Sequence, residues 1–183
     1  MLRRGTVKNL FNSSNDTNAN RQVNRMKTVV VYFSLTGNTK FVAEKIAQQL
    51  DADLCEVIDK NYKQGKMLYI KGGAAAMREK LTDITVEKPI DDYTLVVVGS
   101  PVWAGKIAPA IRTFLVENNF SNKQVAFFVS IGGDKPEKTF TNIIKTVELE
   151  PIIDGLGVTQ PLENKADAET QITEWCNQLK NQS

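Results

Sequence analysis

The chain has 183 residues, which suits one domain with room for a hydrophobic core, and its formal net charge is +2. It contains no histidine, which excludes histidine-based general acid–base catalysis, a Ser-His-Asp or Cys-His nucleophile, and a zinc site with a histidine ligand. Its two cysteines, Cys55 and Cys176, match no metal or redox spacing and are predicted to be buried thiols in a reducing compartment.

The first 25 residues differ in composition from the rest of the chain. They contain five basic residues and one acidic residue, with many Asn and Ser and no sustained apolar run. An Arg-rich, acid-poor segment resembles an organellar presequence. The same composition would also be found in a disordered tail, or in a segment that is translated from a start codon upstream of a natural start at Met26. We expect an N-terminal extension over 1–25 and a folded domain over 26–183, in the cytoplasm or, with a presequence, in an organellar matrix.

Three apolar runs, at 29–33, 95–98 and 125–129, lack the alternation of a half-exposed strand. They predict strands that are buried on both faces, as in a parallel sheet. A weaker strand is predicted at 53–58, and a fifth is predicted at 158–162. None of these runs approaches the roughly 20 apolar residues that are needed to span a membrane.

Amphipathic segments lie between and after these strands. Apolar residues recur at helical spacing in three of them: Val42, Ala43, Ile46, Ala47 and Leu50; Ile107, Ile111 and Leu115, around Pro109; and Ala168, Ile172, Trp175, Cys176 and Leu179. Proline suits a first helical turn. Strand and helix therefore alternate, which predicts one doubly wound α/β domain with helices on both faces of a parallel sheet.

The loop after the first strand is rich in hydrogen-bond donors. It leads directly into a helical pattern and reads Ser34, Leu35, Thr36, Gly37, Asn38 and Thr39. Free amides and the dipole of a helix N-terminus favour an anion there. The loop has no lysine, unlike a nucleoside-triphosphate loop, so it suits a phosphate monoester that is held and not cleaved. Alternatively, Thr36 and Thr39 simply cap the helix.

Two further loops follow the third and fourth strands. The first contains Trp103, which offers a large flat ring, and Gly105, which permits an unusual backbone turn. The second contains a Gly132-Gly133 pair, where a backbone could approach a ligand closely. Each could also be ordinary packing or an ordinary turn. Ligands of such sheets bind beyond the carboxyl ends of the strands, so we expect the three loops to meet at one edge.

Together, these three loops resemble those of the flavodoxin family, and the resemblance runs from about Met26 to the last helix. It implies a five-stranded parallel sheet ordered 2-1-3-4-5 and one bound FMN. The phosphate would be held by Ser34, Thr36, Gly37, Asn38 and Thr39, with Leu35 between them. The isoalloxazine would be wrapped by Ser100, Pro101, Val102, Trp103, Ala104 and Gly105, with Trp103 stacking on the ring or edging it. Backbone contacts to its pyrimidine side would come from Ile131, Gly132 and Gly133.

The connection between 59 and 89 departs from the family pattern. Typical flavodoxins carry an aromatic residue after the second strand, and here Tyr62 or Tyr69 could reach the second flavin face. Flavodoxins are usually acidic, whereas the segment 60–88 holds seven Lys and Arg against three Asp and Glu. This basic surface is either a solvated face or a site that attracts an acidic partner or the phosphates of a pyridine nucleotide.

Three functions remain open at this point. The leading one is a flavodoxin-type carrier of single electrons between a reductase and an acceptor protein. The second is an FMN-dependent NAD(P)H:quinone-type oxidoreductase, and the third is an interaction module without a cofactor. The fold alone does not decide between them. We expect redox partner proteins, no nucleic-acid or membrane partner, no catalytic or metal-binding residue, and a monomer or weak dimer.

Overall fold

The structure is a computed structural model that describes residues 27–61, 80–133 and 135–182. The expected N-terminal extension, both Tyr62 and Tyr69, most of the basic connection, and Asp134 lie outside the described residues. The hypotheses that concern them stay predictions.

A seven-stranded sheet forms the centre of the described fold. Five strands are parallel: β1 (Thr28–Tyr32), β2 (Asp53–Asp59), β4 (Leu95–Trp103), β6 (Gln124–Ile131) and β7 (Leu156–Thr159). Two short strands are antiparallel: β3 (Ile84–Val86), which pairs with β2, and β5 (Lys106–Ile107), which pairs with the end of β4. The order across the sheet is β3-β2-β1-β4-β6-β7, with β5 off this path.

The predicted fold class is confirmed, with corrections to the strands. The five parallel strands lie in the order 2-1-3-4-5 when they are counted alone. The prediction of five strands in total was wrong, because the sheet also contains β3 and β5. These two strands were missed because they are too short to show a periodic pattern. The fifth parallel strand occupies Leu156–Thr159 and not 158–162. Strand β4 continues beyond its apolar run to Trp103, because its backbone pairs with β6 as far as Pro101 and then with β5.

Four helices are present among the described residues: α1 (Asn38–Leu50), α2 (Pro109–Glu117), α3 (Glu137–Val147) and α4 (Lys165–Gln182). Pro109 occupies the first turn of α2, as predicted. Helix α3 was not predicted, although Phe140 and Ile143 are spaced for one helical face and pack into the core. None of the described helices combines the length and apolar character that crossing a bilayer requires.

The helices cover both faces of the sheet, so the core is divided into two layers. Alternate residues of a strand point to opposite faces. Val29 and Val31 of β1 therefore pack in the layer that holds α2 and α3. Val30 and Tyr32 pack in the other layer, with α1 and α4. This two-sided burial is the reason that the central strands are apolar without alternation.

Both cysteines are buried free thiols, as predicted. Cys55 lies in the layer of α2 and α3, and Cys176 lies in the layer of α4. Burial raises the pKa of the Cys55 thiol, and it raises that of Cys176 to about 12. Both thiols therefore stay protonated at neutral pH and act as small apolar core side chains.

Candidate functional site

The carboxyl ends of three neighbouring strands bring the three predicted loops together. Tyr32 at the end of β1 is in register with Gly99 of β4, and Pro101 of β4 is in register with Ser130 of β6. A cavity of about 270 Å³ opens between the loops. Its lining combines residues of all three loops with residues of the β7–α4 loop: Leu35, Thr36, Asn38, Pro101, Val102, Trp103, Ser130, Ile131, Gly132, Gln160 and Glu163.

Residues 34–39, called here the phosphate loop, end at the N-terminus of α1. Gly37 is the residue that precedes the helix, and its φ of 89° lies in the left-handed region that favours glycine. Among the described residues, no side chain caps this helix N-terminus. The alternative that Thr36 and Thr39 act as helix caps is therefore not supported. The first amides of α1 remain available to an anion.

The side chains of the phosphate loop bond to one another and to neighbouring loops. Asn38 Nδ2 donates to Thr36 Oγ1 over 3.0 Å, and Asn38 Oδ1 accepts a hydrogen bond from the Leu162 amide at 3.3 Å. The Thr39 and Ser130 hydroxyl oxygens lie 2.8 Å apart. These bonds fix the loop against β6 and the β7–α4 loop before any ligand binds.

Ser34 is the one member of the phosphate loop with an unsatisfied side chain. Its Oγ is buried, and it has no hydrogen-bond partner in the described part of the chain. A buried hydroxyl without a partner costs roughly 1–3 kcal/mol. A ligand oxygen next to the loop would satisfy it. This orphaned donor therefore points to a binding site at the N-terminus of α1.

The loop between β7 and α4 also reaches the site, and the sequence-based prediction missed it. Gln160 and Glu163 line the cavity, and a Cβ on Gly37 would lie 3.5 Å from Leu162 Cδ1. The position of this loop after the fifth parallel strand could have predicted its presence at the same edge. Glu163 is the only charged side chain in the described cavity lining, which holds no lysine or arginine.

Trp103 ends strand β4 and lines the cavity with a small part of its surface. Only 7% of the residue is exposed. Its ring meets the ring of Phe33 edge to face, with the centroids 5.8 Å apart and an interplanar angle of 87°. Val102 and Pro101 line the cavity beside it. Because most of the indole is packed into the core, its accessible part favours an edge contact with a ligand over full stacking.

Ser100, Ala104 and Gly105 do not line the cavity. The Ser100 hydroxyl is occupied within the chain, because it donates to Pro101 O and accepts from the Ala108 amide. Ala104 and Gly105 form the tight turn between β4 and β5, with φ of 50° and 76°. This conformation matches the turn that best suits a two-residue hairpin. The predicted contacts of these three residues with a ligand stay predictions.

The glycine pair after β6 has open space around it. Ile131 and Gly132 line the cavity. A Cβ added to Gly132 or Gly133 would meet no heavy atom within 4 Å. Internal packing therefore does not require a glycine at either position. The open space leaves the backbone accessible to a flat ligand.

Asp59 is a buried carboxylate at the carboxyl end of β2, where the long connection begins. Its Oδ1 accepts hydrogen bonds from the Asn61 amide and from Thr82 Oγ1, each at 2.9 Å. Among the described residues, Oδ2 has no partner. Burial raises the pKa of this carboxyl group, and the two hydrogen bonds oppose the rise. These contacts tie the two described ends of the connection together.

The fold and the candidate site define a class: doubly wound α/β proteins with a lysine-free, hydroxyl-rich loop between the first strand and the first helix. Residues 27–179 match the family model described as Flavodoxin. Because this match covers most of the chain, the chain belongs to the flavodoxin family. A comparison with curated protein sequences found no match.

Solved structures with the same fold include several flavoproteins. A candidate flavoprotein from Bacteroides eggerthii DSM 20697 has a TM-score of 0.69 and 23% identity, covering 83% of this chain and 96% of that chain. A flavoprotein from Lactobacillus acidophilus NCFM in complex with FMN has a TM-score of 0.62 and 25% identity. The match covers 76% of this chain and 97% of that chain. Oxidised flavodoxin 2 from Bacillus cereus has a TM-score of 0.56 and 17% identity. The match covers 86% of this chain and 99% of that chain.

Proposed function

We propose that this chain binds one FMN and carries single electrons between a reductase and an acceptor protein. The observation that carries this proposal is the unsatisfied, buried Ser34 hydroxyl beside the uncapped N-terminus of α1. Membership of the flavodoxin family and the FMN complex of the L. acidophilus flavoprotein support FMN as the ligand.

The phosphate loop fits the phosphate of FMN. The loop carries hydroxyl groups at Ser34, Thr36 and Thr39 and leads into the uncapped N-terminus of α1, whose first amides favour an anion. Of the three hydroxyl residues, only Thr36 lines the described cavity. No lysine or arginine lines the described cavity. The loop would therefore hold the phosphate without activating it for cleavage.

The other two loops fit the flat ring of the same ligand. Pro101, Val102 and Trp103 form one wall, and Ile131 and Gly132 form another. FMN supplies the redox chemistry when it is bound. These residues would orient its ring and exclude water, and the open space at Gly132 would let backbone groups reach the ring edge.

The charge of the cavity favours a carrier over a self-sufficient enzyme. The cavity between the described residues measures about 270 Å³, which is below the roughly 300–1,000 Å³ of most small-molecule pockets. Glu163, the one charged group in the described lining, would disfavour the approach of a second anionic cofactor.

The test is a visible spectrum of the purified protein, followed by addition of NADH or NADPH. We expect flavin absorbance, release of FMN upon denaturation, and no bleaching by either nucleotide alone. Adding a flavodoxin reductase with NADPH should then bleach the flavin, which serves as the positive control.

Two results would replace this proposal with one of its alternatives. Rapid NAD(P)H oxidation by the purified protein with a quinone would identify an FMN-dependent oxidoreductase. Absence of FMN binding when the free cofactor is added would indicate an interaction module without a cofactor.

A further inference from the structure

A buried pair of hydroxyl groups joins the phosphate loop to the end of β6. Thr39 Oγ1 and Ser130 Oγ lie 2.8 Å apart, and either oxygen could be the donor. The two residues are only 1% and 5% exposed. Ser130 also lines the cavity. The pair therefore connects the site expected for the phosphate with the strand that leads to the ring-binding loop.

The direction of this hydrogen bond decides what Thr39 can offer to a ligand. A hydroxyl group has one hydrogen and two acceptor lone pairs. If Thr39 donates to Ser130, its oxygen can present only a lone pair to an anion bound in the phosphate loop, and a lone pair repels an anion. If Ser130 donates, the hydrogen of Thr39 is free for the anion. Among the described residues, Thr39 Oγ1 is the one partner of Ser130 Oγ.

We propose that Ser130 is a positioning residue for phosphate binding, acting through Thr39. Ser130 donates its hydrogen to Thr39 Oγ1, and Thr39 donates its own hydrogen to a phosphate oxygen. Hydrogen bonds in such a chain polarise and strengthen one another. This inference rests on the proposed function, because it requires a phosphate in the loop. It assigns a role to a residue that need not contact the phosphate itself.

The test measures the affinities of FMN and riboflavin, which differ only in the phosphate, for the full-length protein freed of bound flavin. The variants are Ser130→Ala, Thr39→Val and the double variant. We expect the wild type to prefer FMN, and each single variant to reduce that preference by about tenfold, since hydrogen bonds to charged groups are among the stronger ones. In the Thr39→Val background, Ser130→Ala should have no further effect.

Matched variants separate positioning from a loss of structure. Thr113 is a fully buried threonine of α2 outside the cavity. Its hydroxyl group donates a hydrogen bond to Pro109 O and accepts one from the Thr82 amide. Thr113→Val should lower stability and leave the FMN-to-riboflavin preference unchanged. Thr39→Ser keeps the hydroxyl group and should retain the preference. If Ser130→Ala does not fold, Ser130→Cys is measured in its place. This variant keeps the side-chain length with a weaker donor, and it should give an intermediate loss of the preference for FMN.

Three outcomes would overturn the inference. An unchanged preference in Ser130→Ala would show that Ser130 does not act on phosphate binding. If Ser130→Ala reduced the preference for FMN equally in the wild-type and Thr39→Val backgrounds, Ser130 would act on the ligand independently of the Thr39 hydroxyl group. A wild-type protein that binds FMN no better than riboflavin would remove the phosphate site, and with it the proposed function.

Discussion

At the scale of single residues, Trp103 shows how core packing limits the part of a side chain that a ligand can reach. Its edge-to-face contact with Phe33 holds the indole in the layer of α2 and α3. Trp175 lies in the opposite layer, where its Nε1 donates to Asp154 O at 2.8 Å. The two tryptophans of the chain therefore have different distances to a flavin bound in the cavity.

We predict that FMN quenches the fluorescence of Trp103 and leaves that of Trp175 largely unchanged. Trp103→Phe should remove most of the quenching, and Trp175→Phe, the matched control, should retain it. An aromatic contact contributes about 0.5–1.5 kcal/mol beyond burial, so FMN affinity should fall by no more than about tenfold. Fluorescence titration measures both quantities. Quenching that is lost only in Trp175→Phe would place the flavin elsewhere.

A second prediction concerns the pH dependence of stability at Asp53. The Tyr93 hydroxyl donates to Asp53 Oδ2 over 2.6 Å. The pKa of the Asp53 carboxyl group lies below its usual range. The hydrogen bond from Tyr93 is the larger cause, and the charge of Lys88 is the next. The resulting stabilisation is present above the ordinary aspartate pKa and is lost as the pH falls through the lower folded-state pKa.

Tyr93→Phe should therefore lower the unfolding temperature at neutral pH, and its difference from the wild type should shrink as the pH falls below 4. The variant keeps the ring that Lys27 Nζ contacts 4.9 Å from the centroid. In an Asp53→Asn background, the effect of Tyr93→Phe should lose this pH dependence. A difference that stays constant from neutral to acidic pH would contradict the assignment.

At the scale of elements, the ring of Phe128 in β6 fills the space that a side chain at Gly99 of β4 would need. A Cβ at Gly99 would lie 1.9 Å from Phe128 Cζ. Gly99 and Phe128 are cross-strand neighbours, and Phe128 is fully buried. The phenyl ring of one strand therefore occupies the space above the glycine of the other.

We predict that Gly99→Ala destabilises the protein by at least about 1–3 kcal/mol, the usual cost of overpacking a core. This corresponds to a drop of several degrees in unfolding temperature. Gly132→Ala is the matched control, because its Cβ would meet nothing within 4 Å. Adding Phe128→Leu should recover part of the loss. Equal stability of the two alanine variants in thermal unfolding would contradict this explanation.

Local periodicity predicted most of the elements, and it missed those that depend on distant partners. The five buried residues of the last predicted helix all lie in the α1–α4 layer. Strand β5 has two residues, and it exists because the chain reverses at Ala104 and pairs with Trp103 and Val102. Strand β3 likewise forms only beside β2. Such short strands carry no periodic signal of their own.

At the scale of the whole molecule, the site is built from four loops that the sheet holds at one edge. Ligand binding to the folded state alone raises the free energy of unfolding, by about 2.7 kcal/mol when the ligand is at 100 times its Kd. For a domain of this size, this corresponds to a rise of roughly 5–11 °C in unfolding temperature.

We predict a rise of this order with FMN and a smaller rise with riboflavin at the same concentration, because riboflavin leaves Ser34 and the amides of α1 unsatisfied. Differential scanning calorimetry on the flavin-free protein measures both shifts. FMN and riboflavin shifts of equal size would contradict a phosphate site in this loop.

The order of the parallel strands was implied by the resemblance to the flavodoxin family and not by any local pattern. The sequence alone determined the fold class and the three loops of the expected site. These follow from local signals: unbroken apolar runs, helical spacing, and a donor-rich loop between a strand and a helix. The tertiary structure decided which donors are free. It pairs Thr39 with Ser130, occupies Ser100 within the chain, leaves Ser34 unsatisfied and adds Glu163 to the cavity. Hydrogen bonds between residues far apart in sequence form only after the sheet brings their strands together, so no local pattern could predict them.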